Sequence, residues 1–393
     1  MSRGNSKRIR TAHLNLLFAL IIIFTSENTL FSQVSSVISA KNSLRYNRVE
    51  GFYMASKYNL FNLKDGKIRT ELSTGYGFTS DIGTYSIGMK YQEPSSIGVE
   101  AGVFYFRDVG TNDLNIMGRT ENSLAALFAK EDYHNYYIGR GITSNVVYRM
   151  SRKHEVSANF HIINYKNLRS HNVFSFSDIL GFDKDFTTNP KVLPGEERKL
   201  LFGYTYDSRI NQFMLTDNFV IRVEIEKSGD KFGGDFTYNG YRIGIKKYKR
   251  TIGSQMLVVR GFLGVRDKNA GEQFLYDLGG IGTLRGYGHK EFTGNRVGMI
   301  NIDYLFNRAL IRKLPLRSLP FYSTMSLIAF FDAGWANLGN SPLNSSSSFD
   351  FSDIKSNIGL GYSFGRDLVR LNIAKRLDGG DGIKIAIRLL QRL

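Results

Sequence analysis

Residues 279–296 read Gly-Gly-Ile-Gly-Thr-Leu-Arg-Gly-Tyr-Gly-His-Lys-Glu-Phe-Thr-Gly-Asn-Arg. Gly279, Gly280, Gly282 and Gly286 crowd around Leu284, Arg285 and Tyr287. A glycine run can cradle a phosphate, but this spacing does not fit. Arg285 stands where the third glycine of a dinucleotide loop belongs, and no Lys-Ser/Thr pair follows. Glycine also permits tight folding and close backbone approach. The segment therefore reads as a loop that folds back on its own protein and plants Arg285 on a wall. A desolvated guanidinium without a partner is costly, so a carboxylate must meet it.

Two aspartates in the following segments can do so. In Ala329-Phe-Phe-Asp-Ala-Gly-Trp335, a strand's alternation puts Phe330, Asp332 and Gly334 on one face. The other face, Ala329, Phe331, Ala333 and Trp335, is apolar throughout. In Asn301-Ile-Asp-Tyr-Leu-Phe306, Asn301, Asp303 and Leu305 share a face opposite Ile302, Tyr304 and Phe306. Both carboxylates point to the same side as the loop, and a guanidinium fork suits them better than an ammonium does.

The elements that would position these residues are strands. The 393-residue chain contains no cysteine, which excludes disulfides, thiolate metal sites and a catalytic cysteine. Arg3, Lys7, Arg8 and Arg10 precede an apolar run, Leu14 to Phe24, that is too short for a spanning helix of about 20 residues. Residues 1–33 thus read as a secretory signal peptide, and 34–47 as a short N-terminal segment. Beyond them, two-residue alternation recurs. In Thr216 to Lys227, for example, Val220, Arg222, Glu224 and Glu226 lie opposite Phe219, Ile221, Val223 and Ile225. A soluble sandwich and a transmembrane barrel both give such a pattern. Export, abundant Tyr and Phe, and many glycines in long strands favour the barrel.

Sixteen strands are expected, near 49–59, 68–78, 83–92, 96–106, 123–130, 134–150, 154–166, 198–207, 217–226, 235–248, 254–265, 296–306, 322–336, 355–364, 368–377 and 383–390. With periplasmic termini, the long connections 167–197, 266–295 and 337–354 fall outside. The short links 79–82, 251–253 and 365–367, with 107–122 and 307–321, fall inside. The fold class is thus all-β: a 16-stranded antiparallel transmembrane barrel over residues 48–393, with an extracellular loop folded into its lumen.

Here a resemblance enters. Leu284-Arg-Gly-Tyr287, Phe330-Phe-Asp-Ala-Gly334 and Asn301-Ile-Asp-Tyr304 resemble, in order and spacing, the loop and strand motifs of a barrel superfamily. It is the outer-membrane assembly and translocation superfamily of BamA, TamA and the two-partner secretion transporters, the bacterial surface antigen type. Arg48-Val-Glu-Gly51 and Tyr206-Asp-Ser-Arg209 resemble further signatures of it. The resemblance implies a loop arginine paired with the two strand aspartates, an outer-membrane location in a Gram-negative-type bacterium, and assistance to insertion or translocation of proteins or lipids. About 15 residues between leader and Arg48 leave no room for the family's periplasmic POTRA domains, so a separate periplasmic or outer-membrane protein partner is expected. The final strand ends in Leu393 where the family usually places an aromatic.

Other function classes find little support. His134, His154, His161, His171 and His289 show no ligand spacing, so neither metal nor cofactor is expected. No ordered Ser, His and acid arrangement marks a nucleophile, so no catalytic residue is assigned. Asp378-Gly-Gly-Asp-Gly382 is a hairpin turn rather than a calcium repeat, being a single copy. The formal charge of +17 falls to about +14 without the leader, and anionic outer-membrane lipid, not nucleic acid, is its nearest partner. A passive channel and a structural anchoring subunit stand as alternatives to the assembly reading.

Overall fold

The computed structural model describes residues 44–389, apart from 64–66, 94, 172, 180, 182–183, 210–216, 268–269, 307–324, 340–352, 365–368 and 381. The leader 1–33, most of 34–47, the connection 307–321, most of 337–354, the link 365–367 and Leu390 to Leu393 lie outside the described residues.

Sixteen strands form one antiparallel sheet. In chain order they begin with β1 (Leu44–Asn47), β2 (Gly51–Leu63), β3 (Ile68–Gly77), β4 (Ile82–Gln92) and β5 (Gly98–Gly110). Helix α1 (Arg119–Ala129) follows, then β6 (Tyr137–Arg149), β7 (His154–Asn167), β8 (Gly195–Asp207), β9 (Asn218–Ser228), β10 (Tyr238–Arg250) and β11 (Met256–Arg266). A small ribbon of β12 (Tyr276–Leu278) and β13 (Phe292–Gly294) flanks the Arg285 loop. The sheet resumes with β14 (Arg296–Phe306), β15 (Ser326–Asn337), β16 (Lys355–Phe364), β17 (Val369–Arg376) and β18 (Ile383–Leu389). Each strand pairs with its sequence neighbour, so the order is a meander with the ribbon inserted between β11 and β14.

The polarity of the sheet is inverted relative to a soluble domain. Its covered face buries Glu197, Glu224, Glu226, Asp303, Asp332 and Arg370, whereas Met54, Val103, Val146, Phe202, Ile225 and Leu360 are exposed on the other face. A soluble fold places these classes the other way round. The alternation read from β9, β14 and β15 has this orientation: Glu224 and Glu226, Asn301 and Asp303, Phe330 and Asp332 are all buried.

The observed sixteen strands differ from the expected sixteen at two places. Of residues 123–130, expected as a strand, 123–129 belong to α1 and Lys130 caps it. The stretch Ser123-Leu-Ala-Ala-Leu-Phe-Ala129 contains no β-branched residue and is rich in the best helix formers. Its apolar positions Leu124, Leu127 and Phe128 fall at helical spacing, and eight residues of the whole helix α1 are buried, which blurs any two-residue alternation. The count is restored by β1, four residues that fold back on β2 across Arg48-Val-Glu-Gly51. Exchanging a strand for a helix also reverses the end assigned to everything before it. Turn 78–81 and connection 111–136 therefore lie at the same end of the sheet as 168–194 and 267–295. Hydrogen bonds show this directly: the Thr79 and His171 amides donate to the carbonyls of Glu50 and Arg48.

The first and last strands share no ladder among the described residues, yet both touch α1. The Tyr46 amide of β1 donates to Ser123 Oγ at 3.0 Å, and Arg388 of β18 donates to Glu121 at 2.6 Å. A proline at Ala125 removes one helical hydrogen bond and collides with the Glu121 carbonyl, at about 3 kcal/mol. Ala125→Pro is expected to lower the unfolding midpoint while the far-ultraviolet β signal of the folded state persists; an unchanged midpoint would speak against the helix.

Candidate functional site: the Arg285 loop on the strand wall

Register builds the wall before the loop arrives. Asn301 of β14 lies opposite Asp332 of β15, and Asp332 lies opposite Asn357 of β16. All three side chains point to the covered face and are at most 2% exposed. One step along, Asp303 lies opposite Phe330, and Phe330 opposite Gly359. A Cβ on Gly359 would come within 2.3 Å of the Phe330 ring, so the missing side chain makes room for it.

Arg285 docks on this wall. Its Nε donates to Asp332 Oδ2 at 2.9 Å and its Nη2 to Asp332 Oδ1 at 2.5 Å. The same Nη2 donates to Asp303 Oδ1 at 2.7 Å, and the guanidinium carbon lies 3.7 Å from the centre of the Phe330 ring. Asp332 accepts further from the Arg285 amide at 3.1 Å, from Asn301 at 2.7 Å and from Asn357 at 2.9 Å. Asp303 also faces Arg370 at 3.3 Å and Arg260 at 3.6 Å. A buried ion pair is tolerable only when such extra hydrogen bonds satisfy the remaining lone pairs.

The glycines have distinct roles. Gly279 and Gly280 adopt φ of 110° and 90°, which start the loop in a conformation closed to other residues. Gly282 presses on the 111–118 segment so closely that a Cβ would meet the Ile116 carbonyl oxygen at 2.3 Å. Gly286 donates its amide to Asn357 Oδ1 at 3.0 Å. Leu284 is fully buried among Tyr276, Leu278, Tyr287 and Val297. The Tyr287 hydroxyl donates to the Ser356 carbonyl at 3.0 Å, and Arg376 stacks on its ring. Gly334 lies against the Gly298 carbonyl in the neighbouring strand. Thus Arg285, Asp332, Asp303, Phe330, Leu284, Gly286 and Tyr287 come together in one cluster.

Several participants went unread in the sequence. Asn301 and Asn357 close the lone pairs of Asp332, and both occupy inward positions of their strands. Arg388 donates to the Ile281 carbonyl at 3.0 Å and so ties β18 to the loop. Alternation in Ile383-Lys-Ile-Ala-Ile-Arg388 places it opposite three isoleucines, a signal that was available. Glu121 had no comparable signal, because its direction depends on the helix. At the β1–β2 turn, Arg45 pairs with Glu50 at 2.7 Å and with Asp108 at 3.0 Å. Arg48 donates to the Asp132 carbonyl at 2.8 Å, so the Arg48-Val-Glu-Gly51 signature is a turn held by the Arg45–Glu50 ion pair and by Arg48. In Tyr206-Asp-Ser-Arg209, Arg209 folds back on Asp207 at 2.6 Å. Among the described residues, no group of three or more His, Asp or Glu is placed to hold a metal ion.

The sequence matches no described protein family and no curated protein. Solved structures do resemble it. BamA from Haemophilus ducreyi lacking POTRA domains 1–3 superposes with a TM-score of 0.56 at 14% identity, covering 88% of this chain and 68% of that one. CdiB from Acinetobacter baumannii (TM-score 0.43, 12% identity) and CdiB from Escherichia coli (0.45, 11%) each match 88% of this chain. The chain spans 58% and 60% of those two, less than two thirds of their length. The likeness to the BamA structure is one of fold.

Removing Arg285 leaves two buried carboxylates short of their shared cation. Arg285→Ala is expected to cost about 3–5 kcal/mol, seen as conversion of the folded electrophoretic form at a lower temperature. Arg285→Lys recovers only part of this, because an ammonium cannot fork between both aspartates; full recovery would refute the bidentate account. Burial lowers the proton affinity of His134, whose Nε2 contacts the Met117 carbonyl at 2.8 Å. The unfolded chain then takes up a proton below about pH 6.5 that the folded chain refuses, so stability falls as pH drops through that point. The fall between pH 7.5 and 5.5 is expected to be smaller in His134→Gln; equal slopes would exclude His134 as the cause.

Proposed function

We propose that this chain, whose fold is that of the BamA structure, closes its sheet into an outer-membrane barrel that assists insertion or translocation of proteins, or of lipids, with a separate periplasmic partner. In this reading residues 1–33 are an export leader, and 48–393 form the barrel. The loop carrying Arg285 enters from the outer side, and Arg285 with Asp332 and Asp303 latches it to the lumenal wall. The inverted polarity supports a lipid-facing outer surface: an apolar face spread over so many strands is stable in a bilayer and a liability in water.

The observation that carries the assisting role is the pair of uncovered strand edges. β1 pairs only with Gly51 to Met54 of β2, so residues 55–63 have no strand on that side among the described residues. Among the described residues the far edge of β18 likewise has no ladder. An uncovered edge offers backbone donors and acceptors to another strand. The covered space is filled by α1 and by the Arg285 loop, which weighs against a freely open pore. Partner lipid would contact the exposed apolar face.

The absence of cysteine permits a clean test. Single cysteines at Leu60 of β2 and Ile385 of β18, coupled to a photoreactive crosslinker in membranes, are expected to capture incompletely folded or periplasmic protein. Reconstituted protein is expected to conduct in brief flickers. Adducts to lipid alone, with a stable ion-selective pore, would replace this reading by that of a passive channel.

A further inference from the structure

We propose that α1 is a displaceable occupant of the seam: Glu121 holds the outer edge of β18, and a strand that pairs with β18 must first remove it. The inference rests on the seam described under the proposed function and adds the element that keeps it shut.

The contact is specific. Arg388 Nε donates to Glu121 Oε1 at 2.6 Å and Nη2 to Oε2 at 2.8 Å, a bidentate fork. The Leu389 amide donates to the same Oε1 at 2.8 Å. Leu389 lies opposite Val369 of β17, but its N–H is turned to the helix. That donor is one an added strand's carbonyl would accept. Glu121 therefore stands in for part of a missing strand, and does so with a side chain. Two residues further along the same helix, Ser123 accepts the Tyr46 amide of β1. One helical turn thus engages both ends of the sheet.

The pair is also coupled to the loop. The third guanidinium nitrogen of Arg388 donates to the Ile281 carbonyl, four residues before Arg285. Glu121 and Arg388 are both under 10% exposed. Separating them without replacement leaves a buried charge unpaired, so thermal opening is rare. An incoming strand changes that balance, because it supplies a ladder along β18 while water enters to solvate the released carboxylate. Opening then also frees one anchor of the loop.

The test uses the full chain in planar bilayers and in liposomes, with Glu121→Gln, Arg388→Gln and the exchanged pair Glu121→Arg with Arg388→Glu. Each single variant is expected to raise the open probability at least fivefold, and the exchanged pair to bring it back toward wild type. A smaller rise in both single variants overturns the latch. Folding of each variant is checked by its heat-modifiable electrophoretic form. For a variant that fails this check, Arg388→Lys is used; it keeps the charge but not the fork, and is expected to give an intermediate rise. A second readout separates the two readings: the rate at which an unfolded eight-stranded outer-membrane barrel inserts into the same liposomes. More frequent opening with no acceleration of insertion by any form, wild type included, sustains the latch and rejects the assisting role. Faster insertion by the single variants than by wild type supports both.

Discussion

A guanidinium removed from water must be met by charge and by hydrogen bonds on every side, and the architecture around Arg285 follows from that requirement. One aspartate does not suffice, because Arg285 presents more donors than a single carboxylate can take. Asp332 takes the fork and Asp303 accepts a further hydrogen bond from Nη2, while Phe330 covers the flat face. The aspartates need company in turn. Asn301 and Asn357 complete Asp332, and Arg370 and Arg260 stand against Asp303. Strand register alone brings these groups into a row, so a slip of one residue would turn the whole set to the opposite face. The site is therefore a property of five neighbouring strands, β11 and β14 to β17, together with the loop.

The same requirement orders the covered face more widely. Glu224 meets Arg222 and Arg242, and Glu226 meets Arg266. Glu197 meets Lys199 and the Tyr165 hydroxyl. With so much charge turned inward, apolar side chains are left for the outer face. That arrangement is stable where the surroundings are apolar and the interior is polar. Packing α1 and the Arg285 loop against the covered face supplies partners for Arg388, Asp303 and Asp332. It also explains why the helix is buried nearly all round despite carrying Arg119, Glu121 and Asn122.

The ends of the sheet are managed differently from its middle. Through the middle, neighbouring strands satisfy one another's backbone groups in long ladders. At the ends, β1 contributes four residues, and α1 offers two side chains, Ser123 and Glu121, to the first and last strands. The joint is thus made of a few directional contacts, centred on one ion pair, rather than a cooperative ladder. Such a joint can break locally while the rest of the sheet remains paired.

Much of this was legible in the residues alone. The inward faces of β14 and β15 follow from two-residue alternation, because a strand's side chains can point only two ways. The demand of Arg285 for carboxylates follows from the cost of burying a cation, and the glycines around it announce a close approach. Fifteen of the expected segments coincide with observed strands, because alternation or a dominance of aromatic and β-branched residues marks them. What sequence could not decide were contacts between elements whose direction is set only by packing. Ser123 to Ala129 is rich in helix formers at helical spacing, but nothing local shows that it lies against β1 and β18. Its misreading moved every earlier turn to the wrong end of the sheet. The four residues of β1 are too short to show a period. Glu121 and Arg388 are 267 positions apart, and their meeting exists only once the sheet curves its two ends toward the same helix. Local pattern determined which way each strand faces; tertiary structure decided which charges meet, because burial and distance belong to the folded chain as a whole.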